Sequence, residues 1–368
     1  MDLKKTRSQL ILLFLIIYFF INLTFLTTFP VMHSDESWLS GLSRYIASTG
    51  DFAATEPFFN LKPRIPHAIR ILFHLLQAAV IKLNGYSLLG MRLISLCFAI
   101  GGLFYFYKLN VSLYKQSSVV PLLAIFLLSL DQHFIYTAHF ARQEILLLTL
   151  LLASTCYFIQ WTRNHRFRHD VILALLTGLG IGIHPNSLTI AVTLALFYLY
   201  QIITQKIKVV NLAIYLTTVA LVAVGFIGLS ILFEPNFLRN YPTYGQAQFQ
   251  VLNPLVSKWD AFRQFYLNLY QGQTGTYNLP DFRLSCWLFG ITLLLSLLKY
   301  LFQKDTRQFF IYPLLAIFAI NLTLLIIGRF NSTSIIFQFP FCYMLLAELC
   351  SYLPNTILRR ITITGLCI

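Results

Sequence analysis

Charged side chains are scarce in this sequence, and their scarcity excludes a protein whose main solvent is water. Only 11% of the 368 residues are Asp, Glu, Lys or Arg, whereas 57% are hydrophobic. An average soluble domain carries roughly 25% charged residues. Apolar runs recur along the whole chain, and a run of about 17 to 25 residues is long enough to cross a bilayer as a helix. The composition therefore predicts an all-α integral membrane protein.

Motifs for binding metals and nucleotides are also missing. The six cysteines form no CxxC pair and lack the Cys/His spacing of a metal site, so we interpret them as small core residues. The sequence contains no glycine-rich nucleotide-binding loop. We therefore assign no metal ligand and no cofactor.

The apolar runs predict ten membrane spans in a single polytopic domain, residues 1–368. The spans cover residues 9–29, 89–108, 118–136, 145–161, 171–183, 187–203, 209–232, 284–303, 309–328 and 333–353. The first run follows a basic N-terminus and ends at Thr27-Thr28-Phe29-Pro30, which is not a signal-peptide cleavage site. It is therefore predicted to be an uncleaved span.

The distribution of basic residues predicts the orientation of these spans. The net charge of +14 does not indicate nucleic-acid binding, because Lys and Arg lie in short clusters between apolar runs. With a cytoplasmic N-terminus, every inner loop is basic, as the positive-inside rule requires. The inner clusters lie within residues 4–7, 108–115, 163–168, 206–208, 299–307 and 359–360. This orientation leaves two long loops, 30–88 and 233–283, on the outer face of the cell membrane.

Acidic residues collect in these outer loops and at the outer ends of the spans. The loop members are Asp35, Glu36, Asp51, Glu56, Glu234, Asp260 and Asp281, and Asp131 and Glu144 lie at helix ends. An uncompensated charge near the bilayer is costly and tends to mark a functional site. The polar chemistry of the protein is thus predicted on the outer face.

The first outer loop contains two amphipathic segments. In residues 65–84, a polar stripe of His67, Arg70, His74 and Gln77 opposes apolar residues, which predicts a helix lying in the membrane interface. A second helix is predicted from Asp35 to Thr49, with Ser34 as its N-cap. Its apolar face contains Trp38, Leu39, Leu42, Tyr45 and Ile46, and Ser40, Ser43 and Arg44 are predicted to face away. Asp35 and Glu36 then either compensate the helix dipole or form part of a site.

Several motifs follow one another in an order that resembles a known family. They are His33-Ser34-Asp35-Glu36-Ser37-Trp38, Lys62-Pro63, Gly85-Tyr86-Ser87 with Arg92, Ala141-Arg142-Gln143-Glu144, and Gly178-Leu179-Gly180-Ile181-Gly182-Ile183-His184-Pro185-Asn186. This set resembles the polytopic GT-C glycosyltransferases, which include protein O-mannosyltransferases and lipid A aminoarabinose transferases (glycosyltransferase family 39-like). The resemblance covers roughly residues 9–205 and, more loosely, the turn Gly328-Arg329-Phe330-Asn331.

The resemblance implies an inverting enzyme that passes a sugar from a polyprenyl-phosphate donor to an acceptor hydroxyl. It implies that Asp35 is the catalytic base with Glu36 beside it, that Glu144 assists, and that Lys62 binds near the donor phosphate. Some relatives have a phosphate-binding Arg three positions after the first acid, whereas this sequence has Trp38. Arg64, His67 or Arg142 would then supply that charge. His184 is a candidate substrate contact, although Pro185 and Asn186 explain its turn equally well.

Reaction chemistry leads to the same set of groups without reference to the family. Inverting transfer needs one carboxylate to accept the acceptor proton, and a phosphate leaving group needs cations rather than an acid. The first outer loop contains Asp35 and Glu36 together with Lys62, Arg64 and Arg70. The predicted partners are a lipid-linked sugar donor, a lipid, glycan or protein acceptor, and membrane lipids.

Two other classes of protein have ten spans and a basic composition. A transporter or lipid flippase is the main alternative, but transporters usually have polar groups near the bilayer midplane and repeated halves. Here the acidic residues lie at the outer helix ends, and the two halves differ in loop length. A non-catalytic membrane scaffold would give no reason for acids and bases to concentrate in the first outer loop.

Overall fold

The computed structural model describes residues 3–52, 67–114, 117, 119–162, 165–249, 252–328 and 330–353, and these residues confirm the all-α prediction. They form fifteen α-helices and three short 3-10 helices, and this described part of the chain contains no strand. The α-helices are α1 (Leu3–Phe25), α2 (Ser34–Thr49), α3 (Ile71–Asn84), α4 (Leu88–Leu113), α5 (Val119–Leu130), α6 (Gln132–Ala138), α7 (Glu144–Trp161), α8 (Phe167–Ile181), α9 (Leu188–Ile203), α10 (Val209–Phe233), α11 (Phe237–Phe249), α12 (Leu255–Tyr270), α13 (Arg283–Phe302), α14 (Arg307–Ile327) and α15 (Phe339–Cys350). The 3-10 helices are Pro185–Ser187, Lys304–Thr306 and Ser332–Gln338.

The apolar helices make the chain a multi-pass membrane protein. Within the described ranges, seven helical segments are long and apolar enough to cross a membrane, and α5 and α6 make an eighth if they form one bent span. The other two predicted spans, 9–29 and 171–183, coincide with α1, whose apolar part is Gln9–Phe25, and with the fifteen-residue α8. The apolar part of α1 and the whole of α8 are shorter than the seven segments, so the count of ten spans remains a prediction.

The predicted third span, 118–136, is not a single straight helix. Its two halves, α5 and α6, meet at an angle of 66°. Asp131 lies at the break, where its Oδ1 accepts a hydrogen bond of 2.8 Å from the Phe134 amide and its Oδ2 accepts one of 2.7 Å from the Tyr343 hydroxyl. The helix breaks here because the Asp131 side chain accepts the hydrogen bond of the Phe134 amide, which a backbone carbonyl of the preceding turn would accept in a continuous helix.

Close helix packing depends on small residues at the helix crossings. A Cβ atom at Gly178 would lie 2.5 Å from Cγ1 of Val222, which is too close for two carbon atoms. The absence of a side chain at Gly178 therefore allows α8 to lie directly against α10. A Cβ atom at Gly182 would lie 2.6 Å from Leu72 Cδ1, where the Leu72 amide also donates to the Gly182 carbonyl at 2.9 Å. Small residues allow this approach in membranes, where packing replaces the hydrophobic effect between helices. The start of α3 is thereby fixed to the end of α8.

The polar stripe predicted within residues 65–84 is buried where it runs along α3, and the interfacial position of this helix stays a prediction. His74 and Gln77 are buried, and both contact Ser43 of α2: its Oγ lies 2.9 Å from His74 Nδ1 and donates to Gln77 Oε1 at 2.7 Å. Ser40 is buried as well, although it was predicted to face away from the packed side. The reason is that α2 and α3 pack on each other through this side, where the Ser43 hydroxyl forms hydrogen bonds with both His74 and Gln77.

Candidate active site

The site is built around the first turn of α2. His33, rather than the predicted Ser34, is the N-cap residue: its Nδ1 accepts a hydrogen bond of 3.1 Å from the Asp35 amide. Glu36 completes a capping box by accepting from the His33 amide at 3.2 Å. Because Nδ1 accepts, the ring proton lies on Nε2, which is 3.0 Å from the Thr276 hydroxyl. The cap therefore holds Asp35 and Glu36 in a defined orientation.

Glu36 is fully engaged by groups from three other parts of the chain. Arg92 of α4 forms a bidentate ion pair with it, with Nε 2.8 Å from Oε1 and Nη2 2.7 Å from Oε2. The Ala141 amide donates to Oε1 at 2.9 Å. Nη1 of Arg92 also donates to the carbonyls of Leu26 and Pro30. With side chains 2% and 0% exposed, Glu36 and Arg92 form a buried junction between the end of α1, α2 and α4.

Asp35 differs from Glu36 in that its side chain is 33% exposed. Its Oδ2 accepts a hydrogen bond of 2.6 Å from the Tyr277 hydroxyl and lies 3.0 Å from Nη1 of Arg142. Its Oδ1 lies 3.9 Å from Nδ1 of the His33 ring. The carboxylate is thus held through one oxygen and presents the other to its open side.

Arg142 joins Asp35 to the second predicted acid. Its Nη2 lies 3.0 Å from Oε1 of Glu144, and the same oxygen accepts a hydrogen bond of 2.9 Å from the Thr333 hydroxyl. Burial alone would lower the pKa of the Arg142 guanidinium, but Glu144, Tyr277 and Asp35 together raise it. Two buried atoms of this group have no hydrogen-bond partner, Glu144 Oε2 and Arg142 Nε. The result is a carboxylate–guanidinium–carboxylate array in which one oxygen of Glu144 and one nitrogen of Arg142 are left without a hydrogen bond.

Tyr277 forms the wall of the site opposite α2. Its ring stacks on that of His33, with centroids 4.5 Å apart, and its hydroxyl also accepts a short hydrogen bond from Arg142. Burial raises the pKa of the Tyr277 phenol to about 12. The phenol therefore stays protonated near neutral pH and donates its hydrogen to Asp35.

The structure brings together four of the eight predicted site residues: Asp35, Glu36, Arg142 and Glu144. His184 is buried and caps the Pro185–Ser187 turn, and Asn186 of that turn donates to the Ser334 hydroxyl at 3.1 Å. The Ser332–Gln338 helix thus contacts both the turn that His184 caps and, through Thr333, Glu144. His67 instead packs against Tyr241 of α11, with ring centroids 5.1 Å apart. Lys62 and Arg64 lie outside the described residues.

Sequence reasoning missed the contribution of the 233–283 loop and of the turn before α15. Neither Tyr277 nor Thr333 is among the eight predicted site residues. No spacing in the sequence indicates that either residue contacts an acid more than 180 positions away. Among the described residues, no group of three or more His, Cys, Asp or Glu side chains is arranged to hold a metal ion.

Comparison with solved structures shows that the fold is similar to that of ArnT. ArnT from Cupriavidus metallidurans, an aminoarabinose transferase, matches in two structures. The one bound to undecaprenyl phosphate has a TM-score of 0.62 and 13% sequence identity, over 98% of this chain and 64% of ArnT. The apo structure has a TM-score of 0.67 and 13% identity, over 95% of this chain and 60% of ArnT. The chain thus spans less than two thirds of the length of ArnT, and at this identity the likeness shows the fold alone. No protein-family profile and no curated protein sequence matches the chain.

Proposed function

We propose that this protein is an inverting glycosyltransferase that moves a sugar from a polyprenyl-phosphate donor to an acceptor hydroxyl on the outer face of the membrane. The observation that carries the proposal is the half-engaged carboxylate of Asp35, in which Oδ2 is held and Oδ1 is open, within a GT-C-like fold. Of the two acids in the first turn of α2, this is the one with access to substrate.

In the proposed reaction, the acceptor hydroxyl gives its proton to Asp35 Oδ1 while its oxygen attacks the anomeric carbon. The bond between that carbon and the phosphate oxygen breaks, and the polyprenyl phosphate leaves as an anion. Attack from the side opposite the phosphate inverts the anomeric configuration. One carboxylate is sufficient as the base, because the leaving group needs no protonation.

The other charged residues of the site have positioning roles in this proposal. Glu36 is saturated by Arg92 and the Ala141 and His33 amides, so it orients the turn that carries Asp35 rather than accepting a proton. Arg142 uses both of its Nη atoms on Asp35, Tyr277 and Glu144, which leaves little of the guanidinium for a phosphate. Glu144 in turn holds Arg142. The donor phosphate is therefore assigned to Lys62 and Arg64.

The donor class is supported by the fold and by the place of the site. Asp35 lies ten residues after Phe25, the last residue of α1. A lipid-linked donor can keep its tail in the bilayer while its headgroup reaches such a position. ArnT, which shares the fold, has been seen with undecaprenyl phosphate bound.

The proposal is tested by Asp35→Asn in purified protein reconstituted with a panel of polyprenyl-phosphate sugars. The variant keeps the size and the hydrogen-bonding geometry of the side chain but cannot accept the proton. Turnover should fall by about 10²-fold or more, the usual scale for a lost general base. Asp51→Asn is the matched control, because Asp51 is an exposed acid at the other end of α2.

Folding and donor binding should survive in both variants. Transfer by Asp35→Asn at a rate near that of the wild type would refute the assignment of the base. A change in lipid or substrate flux across vesicles, without covalent transfer in either protein, would instead support a transporter.

A further inference from the structure

Helix α12 lies across the ends of two membrane spans. Because only residues 303–306 join α13 to α14, the start of α13 and the end of α14 lie on the same side of the membrane. Near the start of α12, Lys258 Nζ donates a hydrogen bond of 2.6 Å to the carbonyl of Ile326, at the end of α14. At the end of α12, the Tyr270 hydroxyl accepts a hydrogen bond of 3.3 Å from Nε1 of Trp287, near the start of α13. The axis of α12 therefore runs along the membrane surface, from one span to the next.

One side of α12 is packed against the spans. Phe265 and Leu269 on this side are buried. The Tyr266 hydroxyl donates to Asn321 Oδ1 at 2.5 Å and accepts from Gln338 Nε2 at 2.6 Å. Asn321 lies six residues before the end of α14, which corresponds to about 9 Å along that helix. The helix is therefore seated at the level of the span ends rather than above them.

A second side of α12 is apolar but exposed. At 100° per residue, five apolar side chains fall within a sector of about 120° around the helix. Each of them is between 37% and 77% exposed: Leu255, Val256, Trp259, Leu267 and Tyr270. The exposed polar residues Ser257 and Gln264 lie on the third side of the helix, away from both the packed side and this apolar side.

The surroundings of the apolar side match a lipid surface. Through the contact of Tyr270 with Trp287, this side continues into the exposed apolar surface of α13, where Leu284 is 80% exposed. Trp and Tyr are enriched where a protein surface meets lipid headgroups. Arg263 lies in the same sector with its side chain 71% exposed, and its ion pair with Asp260 is long, at 3.8 Å, and exposed. A guanidinium among apolar side chains suits headgroup phosphates, because its stem covers apolar surface while its charge stays among polar groups.

We propose that the exposed apolar side of α12 binds the outer leaflet of the bilayer, with Arg263 at the lipid phosphates. The contact also fixes the segment that follows α12, because the Gln273 amide donates to the Asn268 carbonyl at 2.7 Å. Tyr277, which holds Asp35, comes four residues after Gln273. The lipid surface thereby positions Tyr277 as well, and this second part rests on the proposed function.

Spin labelling tests the lipid contact directly. Val256→Cys and Trp259→Cys, each in a Cys-free background, are labelled with a nitroxide and reconstituted into phospholipid vesicles. Collisions with oxygen, which concentrates in lipid, should exceed collisions with a water-soluble nickel chelate at both positions. Ser257→Cys and Gln264→Cys are the matched controls, since both positions are exposed on the polar side of the same helix. The ratio of the two collision rates should be reversed there.

Two results would overturn the lipid contact. Free access of the nickel chelate at all four positions would mean that water covers the apolar side. Exclusion of both reagents at positions 256 and 259 would mean that protein covers it, either a second copy of this chain or another partner.

A double-mutant cycle tests the positioning of Tyr277. Val256→Gln combined with Trp259→Gln weakens the lipid contact and should lower kcat/KM for a polyprenyl-phosphate sugar by about two- to tenfold, a scale seen for coupled sites. The same pair of changes should have no effect in a Tyr277→Phe background, because the contact acts through that hydroxyl. Ser257→Ala with Gln264→Ala is the control and should leave kcat/KM unchanged.

An equal loss in both backgrounds would refute the positioning of Tyr277 and leave the lipid contact to the spin labels. If the wild type transferred sugar from no donor, the proposed function would fail. The spin labels would still decide whether α12 binds lipid.

Discussion

The Tyr277 hydroxyl donates a 2.6 Å hydrogen bond to Oδ2 of Asp35, although 242 positions separate the two residues in the chain. This bond joins the 233–283 loop to the start of α2. It also decides which oxygen of the carboxylate is held and which is open. The arrangement of the proposed base is therefore a property of the 30–88 and 233–283 loops together, and not of the acidic pair alone.

Replacing Tyr277 by Phe removes the hydroxyl and keeps the ring that stacks on His33. We expect kcat/KM to fall by about 10- to 100-fold, because a hydrogen bond to a charged group contributes about 1.5 to 3 kcal/mol. Steady-state kinetics with the lipid-linked donor checks this effect. Tyr270→Phe, in the adjoining part of the same loop, is the control, and an unchanged kcat/KM in Tyr277→Phe would contradict the positioning role.

Replacing Glu36 by Gln leaves the Arg92 charge buried without a compensating carboxylate. The free energy of unfolding should fall by about 3 to 5 kcal/mol, the usual cost of breaking a buried ion pair from one side. Thermal unfolding in detergent measures this as a lower transition temperature. Asp260→Asn disrupts the exposed pair of Asp260 with Arg263, whose nearest atoms are 3.8 Å apart, and should have little effect. If Glu36→Gln unfolded like the wild type but lost activity as strongly as Asp35→Asn, Glu36 would belong to the chemistry.

Lys62→Ala tests the assignment of the donor phosphate. A lysine that binds this phosphate contributes a charge-assisted hydrogen bond. Its loss should lower kcat/KM for the lipid-linked sugar, by an amount equivalent to about 1 to 3 kcal/mol of transition-state stabilisation. A lysine that only anchors the loop at the headgroups should tolerate Arg. Lys82→Ala is the matched control, because Lys82 is exposed at the end of α3 in the same outer loop. Kinetics unchanged by Lys62→Ala would remove this residue from the site.

The predicted orientation can be checked by cysteine labelling in a Cys-free background. Asp51→Cys and Arg168→Cys place thiols at exposed positions at the ends of α2 and α8 that lie on opposite predicted sides of the membrane. In intact cells, a membrane-impermeant maleimide should label position 51 and spare position 168. Labelling of both after permeabilisation shows that each thiol can react. The reverse pattern would place the proposed site in the cytoplasm and would contradict the topology.

The membrane class and the acidic pair were predictable because they depend on local properties of the chain. The length of an apolar run sets whether a helix can cross a bilayer, and helices were found at each of the ten predicted spans. The order of the motifs around Asp35, Arg142 and Glu144 also indicated three residues that lie together. In contrast, the break at Asp131 and the cap at His33 were missed, because each depends on which side chain captures a particular backbone amide.

The roles within the acidic pair could be separated only in three dimensions. Asp35 and Glu36 are adjacent and chemically alike, so no pattern of residue types distinguishes a proton acceptor from a buried anchor. Arg92 contacts Glu36 across 56 positions, and Thr333 contacts Glu144 across 189. Such contacts arise from how helices pack, and packing depends on the shapes of many side chains at once rather than on any one segment. For that reason the chain pattern located the acids, whereas the folded structure distinguished the exposed carboxylate from the saturated one.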